Sequence, residues 1–233
     1  MDQQRISTTT SAQASESNFI SRVYLWMAAG LGISTLAAFC LLCQPVLMRM
    51  VISNKLIFIG LIIAEFALVM WLSVAAMRMS ALKASILFVV YSVLNGVTLS
   101  AILLVYTGGS VMTTFAVCAG TFLFFSMYGA TTKKDLTSMG GFMMMGLIGV
   151  VLASFVNMFL KSSALGWVMT FVGIAVFMGL TAYDTQQLKA IHAMGFQDRE
   201  MEKKTAILGA LKLYLDFINL FLMLLRVFGK GRD

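Results

Sequence analysis

The sequence predicts an all-α integral membrane protein, a bundle of seven transmembrane helices. Three observations carry this. Of 233 residues, 60% are hydrophobic and only 12% are charged, where soluble domains carry about 25%. The chain holds seven apolar runs, each near the ~20 residues that a spanning helix needs. The runs are also too long and too uniformly apolar for barrel strands, which alternate over roughly 10 residues. One membrane domain over residues 19–229 accounts for the chain, and the loops leave no room for a soluble domain.

Residues 1–18 are rich in Ser, Thr and Gln and read as a disordered tail with little to bury. They lack the basic, apolar and cleavage-site order of a signal peptide. Run one covers about 20–44 and ends at Pro45, the single proline. Tyr24 and Trp26 sit near its start, as interfacial aromatics do. Gly30 and Ser34 form a small-xxx-small pair suited to close helix contact. Run two covers about 55–77 and holds Glu65. Run three covers about 84–106, with Tyr91, Asn95 and Thr98 on one face. Run four covers about 111–131, and run five about 139–160 with Ser154, Asn157 and Lys161 at helical spacing. Run six covers about 164–188 and holds Asp184. A charged loop over 189–204 precedes run seven, about 206–228, and 230–233 are a short tail.

The net charge of +7 does not point to nucleic acid here. The basic residues gather at run ends, where they set topology and meet anionic lipid. With the N-terminus inside, ten of them fall on the inner side: Arg5, Arg22, Arg78, Lys83, Lys133, Lys134, Lys189, Arg199, Lys203 and Lys204. Six fall outside: Arg49, Lys55, Lys161, Arg226, Lys230 and Arg232. The bias predicts a cytoplasmic N-terminus in a cell membrane. Cys40, Cys43 and Cys118 lie within or at the end of apolar runs and read as small buried hydrophobes rather than a redox pair. The stretch Met143-Met144-Met145 reads as packing. His192, the single histidine, is placed in the loop before run seven, and one histidine argues against a metal centre or a Ser–His dyad.

Chemistry is concentrated in four ionisable residues within the runs: Glu65, Asp184, Lys212 and Asp216. A carboxylate at the middle of a bilayer costs about 2.5–3.5 kcal/mol, so each needs a partner or a job. Lys212, Asp216, Asn219 and Arg226 form a polar stripe on run seven, with leucine and phenylalanine around the rest. Such a helix suits the inside of a bundle. Asp184 lies about 7.5 Å before Lys189 along a helix, and Asp216 about 6 Å after Lys212. If both lysines reach the inner interface, the aspartates of these antiparallel neighbours stand at similar depth. Such a pair shares a proton at lower pH and becomes a dianion at higher pH, which makes it a pH switch. The dianion also offers hard oxygen ligands for Ca²⁺, with Asn157, Asn219, carbonyls or water completing the shell. The bland alternative is a structural ion pair between Lys212 and Asp216, four residues apart.

Paired aspartates also occur in intramembrane aspartyl proteases. Here the second aspartate sits in Tyr214-Leu215-Asp216, without the Gly-x-Gly-Asp sequence or the later Pro-Ala-Leu element of that group. The chain is read as a non-enzyme with no tightly bound cofactor.

The motifs Leu213-Tyr214-Leu215-Asp216-Phe217-Ile218-Asn219-Leu220-Phe221, Tyr183-Asp184-Thr185-Gln186 and Lys133-Lys134-Asp135-Leu136 resemble the Bax inhibitor-1 family over nearly the whole chain, and the short loops resemble a bacterial member. The resemblance implies a seven-helix bundle with the last helix central. It implies a pH-sensitive Ca²⁺ leak across the inner membrane, controlled by an aspartate pair that falls on Asp184 and Asp216. The family's acidic residue in the second helix falls on Glu65. Its bacterial arginine latch falls near Ala76; Arg78 is the nearest arginine, and Lys212 is a second candidate latch. The rival reading from another class is a non-transporting membrane protein that binds and restrains a partner such as a protease.

Overall fold

The computed structural model describes residues 2–232; the side chains of 2–15 and of Ile52 lie outside the described set. Helices account for nearly all of it: α1 Asp2–Leu42, α2 Pro45–Ser53, α3 Lys55–Ala75, α4 Ala81–Leu103, α5 Gly108–Thr131, α6 Thr137–Leu160, α7 Ser163–Ala193 and α8 Arg199–Phe228. A single 3-10 turn, Ala76–Arg78, separates α3 from α4. Seven helices among the described residues are long and apolar enough to cross a membrane, all except α2. The fold is therefore an all-α membrane bundle. Up to residue 15, the tail expected over 1–18 lies outside the described side chains. Residues 16–18 are helical and open the first span instead, because Glu16 pairs with Lys189 at 3.1 Å and Phe19 just beyond is fully buried. Pro45 does more than end run one: it starts α2 at a position where its missing N–H is no loss.

The chain divides into two compact units. The first comprises residues 1–104 and 188–214. In it α1 packs on α4, and α3 on α4. The close α1–α4 approach uses the expected small residues. A Cβ on Gly30 would stand 2.6 Å from the Phe88 ring, and one on Gly96 would strike the backbone of Ser34. One end of this unit gathers residues the charge count put on the inner side. Arg22 Nη1 meets Glu202 Oε1 at 3.1 Å, Lys204 Nζ reaches the Met77 carbonyl at 3.4 Å, and Glu200 accepts from the Ala81 amide at the start of α4. His192 belongs to the last turn of α7, not to a loop, and stacks on Phe19 with ring centroids 5.1 Å apart.

The second unit comprises residues 105–187 and 215–233. Its helices meet through glycine. Gly129 of α5 lies against the Ala182 backbone of α7, Gly140 of α6 against the Tyr183 ring, and Gly179 of α7 against Met143. Met143 thus packs as expected for its stretch, whereas Met144 and Met145 are exposed. The last residues are pinned rather than loose: the Thr107 amide donates to the Lys230 carbonyl at 2.9 Å, and Arg232 to Val105 at 2.8 Å. Cys118 is buried as expected, whereas Cys40 and Cys43 are exposed. Spacing within an apolar run does not tell a lipid-facing position from a core one.

Candidate ion-gating site

Asp184 is buried on α7, and its neighbours in sequence are each held by another element. Tyr183 covers Gly140. The Thr185 hydroxyl lies 3.2 Å from that of Ser126 on α5 and donates to the Thr181 carbonyl at 2.8 Å. Gln186 clamps the α5–α6 connection: its Nε2 donates to the Lys134 carbonyl and its Oε1 accepts from the Leu136 amide, both at 2.8 Å. The motif Tyr183-Asp184-Thr185-Gln186 is thus a positioning device that fixes the rotation of α7 around its acid.

Asp216 is 5% exposed on α8. Its rotation is set by the residue that follows. The Phe217 ring meets Phe115 and Phe122 edge-on, each at 5.5 Å, and the Cys118 thiol points at the Phe217 carbonyl, 3.7 Å away. Within this unit α7 and α8 run antiparallel, with Gly166 beside Arg226 and Gly173 beside Met223. From Gly173, helical steps along the same face reach Phe177, Leu180 and Asp184. Steps back from Met223 reach Leu220 and Asp216. Both aspartates therefore stand on facing stripes, and the register leaves them about 6 Å apart in height, roughly one turn. The lysine positions lead to a smaller offset, about 1.5 Å.

Other expected site residues fall elsewhere. Asn157 ends α6: its Oδ1 accepts from the Ser162 amide at 3.0 Å. It lies by Gly166, eighteen residues along α7 from Asp184, which is about 27 Å. It caps a turn and is out of reach of the pair. Asn219 is one turn from Asp216 but spends its Nδ2 on the Leu215 carbonyl at 2.8 Å. Lys212 is exposed, unlike Asp216, and Arg226 is exposed at the far end of the helix. Arg78 is exposed in the 3-10 turn after α3. The remaining acid, Glu65, belongs to the first unit. There its carboxylate accepts from Asn95 Nδ2 at 3.3 Å and from the Thr98 hydroxyl. The face of Tyr91, Asn95 and Thr98 read from run three is thus a real polar face. Tyr214 and Ser34 extend it: Tyr214 Oη is 2.9 Å from Asn95 Oδ1 and 2.6 Å from Ser34 Oγ.

Among the described residues, no group of three or more His, Cys, Asp or Glu side chains is placed to hold a metal ion. The pair offers at most two carboxylates, fewer oxygens than the six to eight that Ca²⁺ takes.

Helix α8, which carries Asp216, is the best covered of the seven spans: 67% of its apolar window is buried, against 6% for α6. Of the polar stripe predicted for the last run only Asp216 shares that burial; Lys212 and Arg226 are exposed. Comparison with known proteins is in keeping. A family model described as inhibitor of apoptosis-promoting Bax1 matches residues 16–233. The chain is 49% identical over 215 residues to the inner membrane protein YbhL of Escherichia coli K12, covering 92% of each. It is 45% identical to a Deinococcus radiodurans protein over 92% of this chain and 91% of that one. It is 43% identical to a Borreliella burgdorferi protein over 94% of each. The family match runs through all seven spans, and the chain is a multi-pass inner membrane protein that belongs to the Bax inhibitor-1 family.

Proposed function

We propose that the protein is a passive, pH-sensitive Ca²⁺ leak of the inner membrane, oriented with its N-terminus in the cytoplasm, and not an enzyme. The observation that carries this is the placement of Asp184 and Asp216, two buried carboxylates on facing stripes about one turn apart in height. At lower pH the pair shares a proton and the helices stay closed. At higher pH the dianion repels itself and attracts a cation, which favours a shifted α8 or α3 and an open path. Arg78, the arginine nearest the family's latch position, and Lys212 are the candidate latch residues. Asp184 and Asp216 serve as sensor and transient ligands, with Glu65 and Asn219 the further polar groups of the path.

The test is Ca²⁺ entry into dye-loaded liposomes holding the purified protein, from about pH 5 to 8, where perturbed carboxyls titrate. Flux that varies with pH, and loses that variation in a folded D184N/D216N double variant, supports the proposal. Flux no greater than in empty liposomes at every pH removes it and favours the partner-binding regulator.

A further inference from the structure

The first unit holds a polar chain, half-buried at its Glu65 end and buried beyond it, with too few protons to satisfy every contact at once. It runs from Glu65 of α3, through Asn95 of α4 and Tyr214 of α8, to Ser34 of α1. The contacts are 3.3 Å from Glu65 Oε2 to Asn95, 2.9 Å from Asn95 to Tyr214, 2.6 Å from Tyr214 to Ser34, and 2.7 Å from Ser34 to the Ser92 carbonyl. The two hydroxyls carry one proton each and the Asn95 amide has a single carbonyl end. With Glu65 ionised, Asn95 must donate to it, Tyr214 must donate to Asn95, and Ser34 donates to Tyr214; the Ser92 carbonyl is then left without the Ser34 proton. With Glu65 protonated, the reverse order satisfies all four: Glu65 donates to the Asn95 oxygen, the turned amide donates to Tyr214, Tyr214 to Ser34, and Ser34 to Ser92, a proton shared with the Gly30 carbonyl of its own helix 3.0 Å away. Amide orientation is free to follow the network.

We propose that Glu65 is a second proton-binding site, distinct from the aspartate pair, and that its protonation reverses the direction of this hydrogen-bond chain across α3, α4, α8 and α1. No bond between heavy atoms changes. One proton is taken up at Glu65 Oε2, one amide turns, and two hydroxyls rotate. Thr98, whose hydroxyl holds the other carboxylate oxygen, keeps its bond in both states. The groups facing Glu65 are Asn95, Thr98 and the phenol of Tyr91 from α4, with the phenol of Tyr214 from α8. Among the described residues Glu65 makes no ion pair, so no basic side chain holds it in one state. The chain links four helices, so the charge on one lipid-depth carboxyl is felt at the α1–α4 contact.

Infrared difference spectroscopy on the full chain in lipid nanodiscs, between about pH 5 and 8, tests this in the D184N/D216N background. The expected spectrum contains a protonated-carboxyl band and a tyrosine ring change. Adding E65Q, which keeps size and hydrogen bonding, removes both; adding Y214F removes the tyrosine change alone. Where Y214F does not fold, S34A takes its place and must alter the tyrosine change while sparing the carboxyl band. Absence of the carboxyl band before E65Q is added, or survival of either signal after it, overturns the proposal.

Discussion

Gly129 is expected to set how closely α5 approaches α7 beside Asp184, and replacing it with alanine measures that contact. A Cβ there would stand 2.8 Å from the Ala182 carbonyl carbon and 2.9 Å from its Cα, with the carbonyl oxygen nearer still. Ordinary contact begins at 3.4 Å, so clearing the carbonyl oxygen requires the helices to part by about an ångström, and the obstacle is backbone that cannot rotate away. Overpacking of this kind costs about 1–3 kcal/mol. For a chain of this size that lowers Tm by about 2–12 °C. Gly120, on the same helix, has nothing within 4 Å of its would-be Cβ. Gly120→Ala therefore shows only the helix-propensity gain of about 1 kcal/mol. Both variants would be melted in one detergent, followed by tryptophan fluorescence. A Gly129→Ala protein that melts at or above Gly120→Ala would refute the reasoning.

Gln186→Ala removes two hydrogen bonds to the backbone of the α5–α6 connection; it is expected to cost about 1–3 kcal/mol and to speed hydrogen exchange at the Leu136 amide. Asp135 is exposed, and bonds from the Thr137 hydroxyl and amide hold its carboxyl below the usual range. A folded value below the unfolded one means that the carboxylate stabilises the start of α6 at pH above about 3.9 and loses that effect as pH falls through the folded value. Exchange of the Thr137 amide should rise over that window, and not in Asp135→Ala. Cys43, exposed in the turn before α2, should react with a membrane-impermeant maleimide from the periplasmic side if the N-terminus is cytoplasmic, whereas buried Cys118 should react only after unfolding. Glu202→Gln breaks the partly exposed pair with Arg22 and should cost less than about 1 kcal/mol.

The seven spans were legible because bilayer thickness imposes a length and a composition on each run, with little room for error. Run ends were off by a few residues, most at α7 and α8. The charged stretch over 189–204 was read as a loop, yet α8 begins at Arg199 and α7 ends at Ala193, because helices continue past the apolar boundary wherever water-facing turns still pair their backbone. Lipid exposure was not legible. Cys40 and Cys118 sit in equally apolar surroundings in sequence and differ only in which face their helix turns inward.

The acids show the same division more sharply. Asp184 and Asp216 stood out because a carboxylate in an apolar run is costly wherever it points. The residues that aim them did not stand out. Gly129 and Gly140 are two of 19 glycines, and only the partners Ala182 and Tyr183 reveal which of them matter. Asn157 failed as a ligand for the converse reason. Its spacing on run five was sound, but chain direction puts the end of α6 beside the start of α7, at the opposite end from Asp184. Tyr214 makes the point for the first unit. In sequence it is an aromatic two residues before an aspartate. In the fold its hydroxyl joins Asn95, 119 residues away, to Ser34, 180 residues away. Burying a phenol that deep requires a hydrogen-bond partner, so one had to exist; no periodicity within a single helix identifies it.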